Sequence, residues 1–341
     1  MNVLFDATAP TNQSAPDNQT FGGTPLCSQP TWSRVLLVVV YSLVFMVGFL
    51  LNGVTLRVYL CGAGTSSSVG VCLKNLAAAD FLLCLCLPIR IAFNATDSAW
   101  VRLVFCNFGT ATFYLNMYAS ILFMGYIAAV RYFKIVHPSG SHLLKSVRAA
   151  RVVSLVTWLV LLTLTGSYII LSLVTQPVLP PSGGTAICSN LHSKQLILLY
   201  KVVHVISASI FLLVFLALLF FYYSTSRRLA AAQQRRASSC GARRLAKARR
   251  NILLLVSVFC ICFLPYHLVR LPYALVPQHD CNIKHLKDLT VALSALNVCL
   301  DPLIYFLFCK AFRAQLRQKQ HATDVDTWKK TSTCPSSTSK S

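Results

Sequence analysis

The sequence predicts an all-α membrane protein, a seven-transmembrane helix bundle. Three observations predict it. The 341-residue chain is 55% hydrophobic and only 12% charged, with a mean hydropathy of +0.61, a balance unlike that of soluble domains. Seven long apolar segments recur along it. Basic residues gather in alternate connections between those segments.

The first segment, Val35–Leu56, contains no Asp, Glu, Lys or Arg. The second, about Val69–Phe93, carries Asp80. The third (Leu103–Val130), fourth (Val152–Val174), fifth (Val202–Thr225) and sixth (Asn251–Val269) are again free of charged side chains. The seventh, Leu289–Cys309, carries Asp301 beside Pro302. Each reaches or approaches the ~20 residues that a helix needs to cross the hydrocarbon core. An acid beside a proline in such a span is costly in lipid. Ionisable groups there face a bundle interior or a water-filled cavity, and the kink frees backbone groups that neighbours or waters must satisfy.

Orientation follows from the cations. Of 31 Lys and Arg, 23 fall on one side, and the connection Arg227–Arg250 alone holds nine. The positive-inside rule makes that side cytoplasmic and the amino terminus extracellular. The sequons at Asn12, Asn18 and Asn94 then all fall outside, as glycosylation requires. Residues 1–33 form a glycosylated extracellular amino terminus with no signal-peptide core, so the first helix is expected to act as the signal anchor. Residues 34–309 form the membrane domain, and the tail 321–341 is expected to be disordered. The net charge of +22 does not indicate nucleic-acid binding, because the cations sit at helix ends and no soluble domain presents them. Anionic inner-leaflet lipid is the expected partner of that face. The connection 227–250 is expected to extend the fifth and sixth helices.

Most of the fourteen cysteines lie in apolar spans, where a free thiol acts as a small hydrophobe. Cys27, Cys106, Cys188 and Cys281 fall on the oxidising outer side, where three pairings are open. No enzyme constellation emerges. The Cys and His residues lack metal-site spacing, and no carboxylate pair faces an outer cleft.

Cations gather at the outer ends of the spans. His267 and Arg270 are three apart in the sixth and share a face. Arg270 lies five residues beyond Pro265, roughly 7 Å further out. Lys284 and Lys287 stand at the outer end of the seventh, Arg90 tops the second and Lys201 opens the fifth. Tyr114, Tyr118 and Tyr273 offer hydroxyls and rings. Together these outline a cationic pocket for phosphate or carboxylate, which Arg binds bidentately and Lys as a point charge. For Lys194, Lys201 and Lys284, snorkelling to headgroups is the competing reading. For His267 it is a hydrogen bond to a neighbouring helix.

Asn52 in the first span, Asp80 in the second, Arg131-Tyr132 ending the third, Trp158, Phe263-Leu-Pro265 and Asn297-Val-Cys-Leu-Asp301-Pro302-Leu-Ile-Tyr305 form an ordered set. In order and spacing this set resembles the landmarks of rhodopsin-like G-protein-coupled receptors from about Arg34 to Arg317. The stretch Cys262–Tyr273, Lys287 ten residues before Asn297, and Phe113–Tyr118 resemble the purinergic nucleotide receptors, in their ADP- and UDP-sugar branch. The run Arg131-Tyr-Phe-Lys-Ile-Val-His137-Pro138 instead resembles hydroxycarboxylic-acid and oxoeicosanoid receptors.

The resemblance implies several things. A short membrane-surface helix follows the seventh span, at 310–320. Cys106 pairs with Cys188, leaving Cys27 for Cys281. Asp80, Ser120, Asn297 and Asp301, with Asn52 and Tyr305, line a polar switch cavity that takes an allosteric sodium ion, and no other cofactor is expected. Two neighbouring buried carboxylates call for a proton or a cation in any case. Arg131 and Tyr132 meet a heterotrimeric G protein, of the inhibitory class by analogy, and arrestin. Val130 stands where such receptors carry an acid, which points to raised ligand-free signalling, with weakened coupling or a non-signalling scavenger as rivals.

The implied ligand is a small extracellular anion, nucleotide-like in the first instance and bound by Arg90, Tyr114, Tyr118, Lys201, His267, Arg270, Tyr273 and Lys287. Departures from the nucleotide pattern at Pro277, Ala186-Ile187 and Gly166-Ser-Tyr168 keep lysophospholipids and hydroxy or oxo acids open. An anion transporter ranks lower, since no paired repeat is visible.

Overall fold

A computed structural model describes residues 30–60, 67–136, 145–175, 193–234, 239–275 and 281–308. Through them run seven helices long and apolar enough to cross a membrane. The first, α1, is Thr31–Leu60, and α2 is Ser68–Ala95. The third, α3, has three parts: Ala99–Val104, one π-helical turn at Phe105–Gly109, and Thr110–Val136. Then come α4 (Val147–Thr175) and α5 (Lys194–Gln234). Helix α6 joins Ser239–Cys262 to Leu264–Leu275, and α7 joins Cys281–Ala295 to Asn297–Phe308.

Local chemistry explains these boundaries. Serines cap three amino-terminal ends: Ser67 Oγ accepts from Gly70 N at 3.0 Å, Ser146 Oγ from Ala149 N at 3.0 Å and Ser193 Oγ from Leu196 N at 3.2 Å. Each satisfies an amide that the helix itself leaves unpaired. Proline accounts for the interruption of α6 and for the kink near the end of α7. Pro265 follows the break at Phe263, and Pro302 lies in the last turns of α7. Pro302 has no N–H to return to Val298. The carbonyl of Val298 accepts instead from Asn52 Nδ2 at 2.6 Å, so α1 satisfies the group that the kink releases. Gly48 permits that approach, because a Cβ there would stand 2.6 Å from Val298 Cγ2 and 2.9 Å from Cys84 Sγ.

Large side chains fill the bundle centre, among them Tyr41, Tyr59, Phe113, Phe123, Phe259 and Tyr305, all fully buried. Leu43, Leu50, Leu155, Leu162, Leu213 and Leu216 point outward and are exposed. That arrangement suits a lipid solvent. One end of the bundle is basic, with Arg57, Lys134, Arg148, Arg151, Arg227, Arg228, Arg249 and Arg250 exposed on it and no acid among the described residues. The other is the amino-terminal end. As expected, α5 and α6 reach past their apolar segments into the basic connection. The 310–320 helix, the tail, Asn12, Asn18, Cys27, Cys188 and the side chain of Cys281 lie outside the described residues.

Candidate ligand site and polar cavity

At the amino-terminal end the predicted cations occupy separate surroundings. Arg270 is buried, at 7% exposure. Its Nε donates to His204 Nε2 on α5 at 3.2 Å. His204 Nε2 must therefore be the acceptor, so Nδ1 carries the proton and donates to the Tyr200 carbonyl at 2.8 Å. The Arg270 guanidinium lies 5.3–5.5 Å from the ring centres of Tyr114, Tyr200 and Tyr273. No carboxylate pairs with it among the described residues.

Lys287 Nζ is 5.0 Å from the Tyr273 ring, so that ring joins the two cations across α6 and α7. Lys287 also pairs with Asp288 at 2.8 Å. Its own neighbour thus partly neutralises it, which makes it a weaker anchor than Arg270. Lys201 is half-buried on the first turns of α5 and makes no hydrogen bond or ion pair among the described residues.

Two of the predicted ligand residues have partners elsewhere in the bundle. Arg90 does not join Arg270. Its Nη1 donates to Tyr41 Oη at 3.4 Å, and its guanidinium lies 4.3 Å from the Phe113 ring centre, 5.1 Å from Phe105 and 5.4 Å from Tyr41. It fills an aromatic cage between α1, α2 and α3, completed by the π-turn that carries Phe105 and Cys106. His267 is not open to a ligand. Its Nδ1 donates to the Phe263 carbonyl at 2.8 Å, Tyr118 Oη donates to its Nε2 at 3.1 Å, and its ring stacks on Phe211 at 3.8 Å. It is a bridge from α6 to α3 and α5, which was the competing reading.

His204 and Tyr200 escaped the sequence reading. Tyr200, His204, Ser207 and Phe211 sit at spacings of four, three and four in an otherwise aliphatic segment, a helical stripe that would have exposed them.

Deeper in the bundle, Asp80 is fully buried. Its Oδ1 accepts from Ser120 Oγ at 3.1 Å and Asn297 Nδ2 at 3.3 Å, and its Oδ2 from Tyr305 Oη at 2.6 Å. Asp301, equally buried, lies beside Asp80 and Asn297, and among the described residues no donor meets either of its oxygens at hydrogen-bond distance and angle. Asn297 Oδ1 and Asn116 Oδ1 are buried acceptors in the same condition. The cavity therefore has more acceptors than donors. Its oxygens fit a small hard cation such as sodium, with Asp80, Ser120, Asn297 and Asp301 as the groups that would hold it. No cluster of three or more His, Cys, Asp or Glu fit for a metal occurs among the described residues.

At the basic end Val130 is fully buried in the core. Tyr132 shares a hydrogen bond with Ser224 Oγ at 2.9 Å and stacks on Phe221 at 4.8 Å. Arg228 Nη1 donates to the Val136 carbonyl at 3.3 Å. Helix α3 is thus tied to α5 beside Arg131. Among the predicted disulfide residues only Cys106 can be followed. It is buried and is not one of the free thiols of the bundle.

Asn94, the third sequon, is described. It is buried in the last turn of α2, and its Nδ2 donates to the Arg90 carbonyl at 2.8 Å. The nitrogen that would carry a glycan is turned inward and engaged.

Seven spans, a kinked α7 over a buried acid cavity and a cation site at the opposite end from the basic face define a membrane receptor fold. Residues 51–305 match the family model described as 7 transmembrane receptor (rhodopsin family), and the chain belongs to that family. It is similar to purinoceptor 14 of Bos taurus, 33% identical over 299 residues that cover 85% of this chain and 86% of the relative. G-protein coupled receptor 87 of Mus musculus is 32% identical over 298 residues, covering 85% and 81%. Purinoceptor 13 of Homo sapiens is 31% identical over 309 residues, covering 87% and 85%. The chain is therefore a multi-pass G-protein-coupled receptor related to the purinoceptors, and not an enzyme.

Proposed function

We propose that this receptor responds to an extracellular phosphate- or carboxylate-bearing ligand and signals through an inhibitory heterotrimeric G protein. Arg270 carries the reading. A guanidinium buried without a carboxylate is expensive, and rings and a neutral histidine compensate it only in part. An arriving anion supplies the missing charge, with Tyr273 and Lys287 beside it. The names of the purinoceptor relatives support a nucleotide as the first ligand to try. The anionic head is what Arg270 selects; the rest of the pocket sets what the head is attached to.

In this reading the basic end is cytoplasmic and the amino terminus extracellular. Asn12 and Asn18 carry glycans, Cys106–Cys188 ties the start of α3 to the second outer loop, and Cys27–Cys281 ties the amino terminus to the third. Sodium in the Asp80–Asp301 cavity favours the resting state. Agonist favours outward movement of the basic end of α6, exposing Arg131 and Tyr132 to the G protein and later to arrestin, while the basic rim meets anionic lipid. Val130 supplies no acid to restrain Arg131, so signalling without ligand is raised.

The test is inhibition of cyclic AMP by a panel of nucleotides, nucleotide sugars, lysophospholipids and hydroxy acids, with Arg270→Ala and Lys287→Ala beside wild type at matched surface expression. The expected result is one responsive anion class whose effect Arg270→Ala abolishes. A response that survives Arg270→Ala overturns the reading.

A further inference from the structure

Three buried polar atoms near the basic end of α5 and α6 have no hydrogen-bond partner among the described residues: Thr225 Oγ1, Ser226 Oγ and Asn251 Oδ1. Thr225 is fully buried and Asn251 is 6% exposed. Hydroxyls elsewhere in the bundle return to the carbonyl one turn back, as at Thr55 (2.7 Å), Ser154 (2.8 Å) and Ser209 (3.0 Å). Thr225 and Ser226 forgo that bond. In a membrane bundle an unpaired polar group is costly to the state that buries it.

Spacing brings these groups to one seam. Thr225 lies on the buried stripe of α5 with Phe211, Leu218 and Leu229. Asn251 shares a face of α6 with Leu255 and Phe259, at spacings of four. Phe259 stacks on Phe211 at 5.2 Å and on Phe215 at 6.1 Å. Counted from Phe259 and Phe215, Asn251 is about 12 Å and Thr225 about 15 Å nearer the basic end. On the α3 side, Tyr132 bonds Ser224, the residue before Thr225, at 2.9 Å. Arg131, the residue before Tyr132, is thereby carried to the same seam. Val130 offers it no acid, and neither 131–151 nor 227–250 contains one. Its guanidinium has five N–H donors, and the seam has acceptors without donors.

We infer that the seam biases the basic end of the bundle towards its open state, in which the Thr225 hydroxyl accepts from Arg131 and Asn251 is released to water. The unpaired groups raise the free energy of the closed end, and opening satisfies them. The inference rests on the coupling reading above, in which the basic end of α6 moves outward. It gives Arg131 a partner on α5 for the signalling state.

The experiment uses purified full-length receptor in nanodiscs, without ligand. It reads nucleotide exchange on each of the four classes of heterotrimeric G protein, and the unfolding temperature of the receptor. Wild type is compared with Thr225→Val, Asn251→Leu and Thr225→Ser. Valine and leucine keep roughly the same shape and remove the polar atoms. Thr225→Val is expected to lower exchange at least about tenfold, the loss of one hydrogen bond to a charged group. Asn251→Leu should lower exchange as well. Neither should lower the unfolding temperature, because each removes a group that was unpaired. Thr225→Ser keeps the hydroxyl and should keep the exchange rate. Unchanged or faster exchange in Thr225→Val overturns the inference. A fall in exchange with an equal loss of thermal stability also overturns it, since that marks a structural role. If Thr225→Val does not fold, Asn251→Leu is judged by the same two criteria. Exchange on a class other than the inhibitory one leaves the inference and overturns that assignment. Exchange by wild type on no class removes the coupling reading and the inference together.

Discussion

Arg270→Met separates a ligand anchor from a structural lock. Methionine keeps much of the side-chain volume and deletes the charge. Removing a buried cation that has no carboxylate partner among the described residues relieves a desolvation cost of several kcal/mol. Against that stand three ring contacts at 5.3–5.5 Å, about 0.5–1 kcal/mol each. The hydrogen bond to His204 Nε2 is also lost, and a buried acceptor left without its donor costs about 1–3 kcal/mol. The two sides nearly cancel. The ligand-free receptor should therefore unfold within about 5 °C of wild type. Anion affinity should behave otherwise. Truncating one partner of a buried charge pair costs about 2–5 kcal/mol, or roughly 30- to 5,000-fold. Thermal unfolding without ligand and concentration–response in cells read the two quantities separately. A drop of about 10 °C or more without ligand, or an agonist potency within about threefold of wild type, would refute the reasoning.

Three other outcomes follow from the same geometry. Val130→Asp should lower ligand-free signalling about 5- to 30-fold, the effect of 1–2 kcal/mol on a two-state equilibrium; unchanged basal cyclic AMP inhibition at matched surface expression excludes constitutive activity from this cause. Asp301→Asn should abolish any stabilisation of the receptor by sodium over potassium, read from unfolding temperatures in the two chlorides; a sodium effect intact in the variant places the ion elsewhere. Replacing Asn12 and Asn18 together by Gln should remove the whole glycan shift on a gel, and a residual shift lost only with Asn94→Gln would mean that the buried Asn94 amide is reached during synthesis.

The fold was legible because hydropathy is additive along a segment. Val35–Leu56 announces α1 whatever it packs against, and α5 and α6 extend where the cationic connection has no proline. Asp301-Pro302 likewise announced a buried polar feature, since lipid tolerates that pair nowhere else. The candidate site was legible only in part. Arg270, Tyr273 and Lys287 do come together, and Asp80 does meet Ser120, Asn297 and Tyr305. Arg90 looked equivalent to Arg270 at the end of its span, yet Tyr41, Phe105 and Phe113 enclose it. His267 looked available beside Arg270, yet the turn between them aims it at Tyr118 and Phe211.

Segment hydropathy and charge alone specified seven spans, a basic end and a set of polar residues that had to face inward. Which of those residues meet was decided by packing. Helix rotation, the Pro302 kink caught by Asn52, and the π-turn at Phe105–Gly109 set distances between side chains more than fifty residues apart. A rotation of one residue, 100° on a helix of 3.6 residues per turn, would carry His204 away from Arg270. The composition of α5 would be unchanged by it, and so would every sequence signal that identified the span.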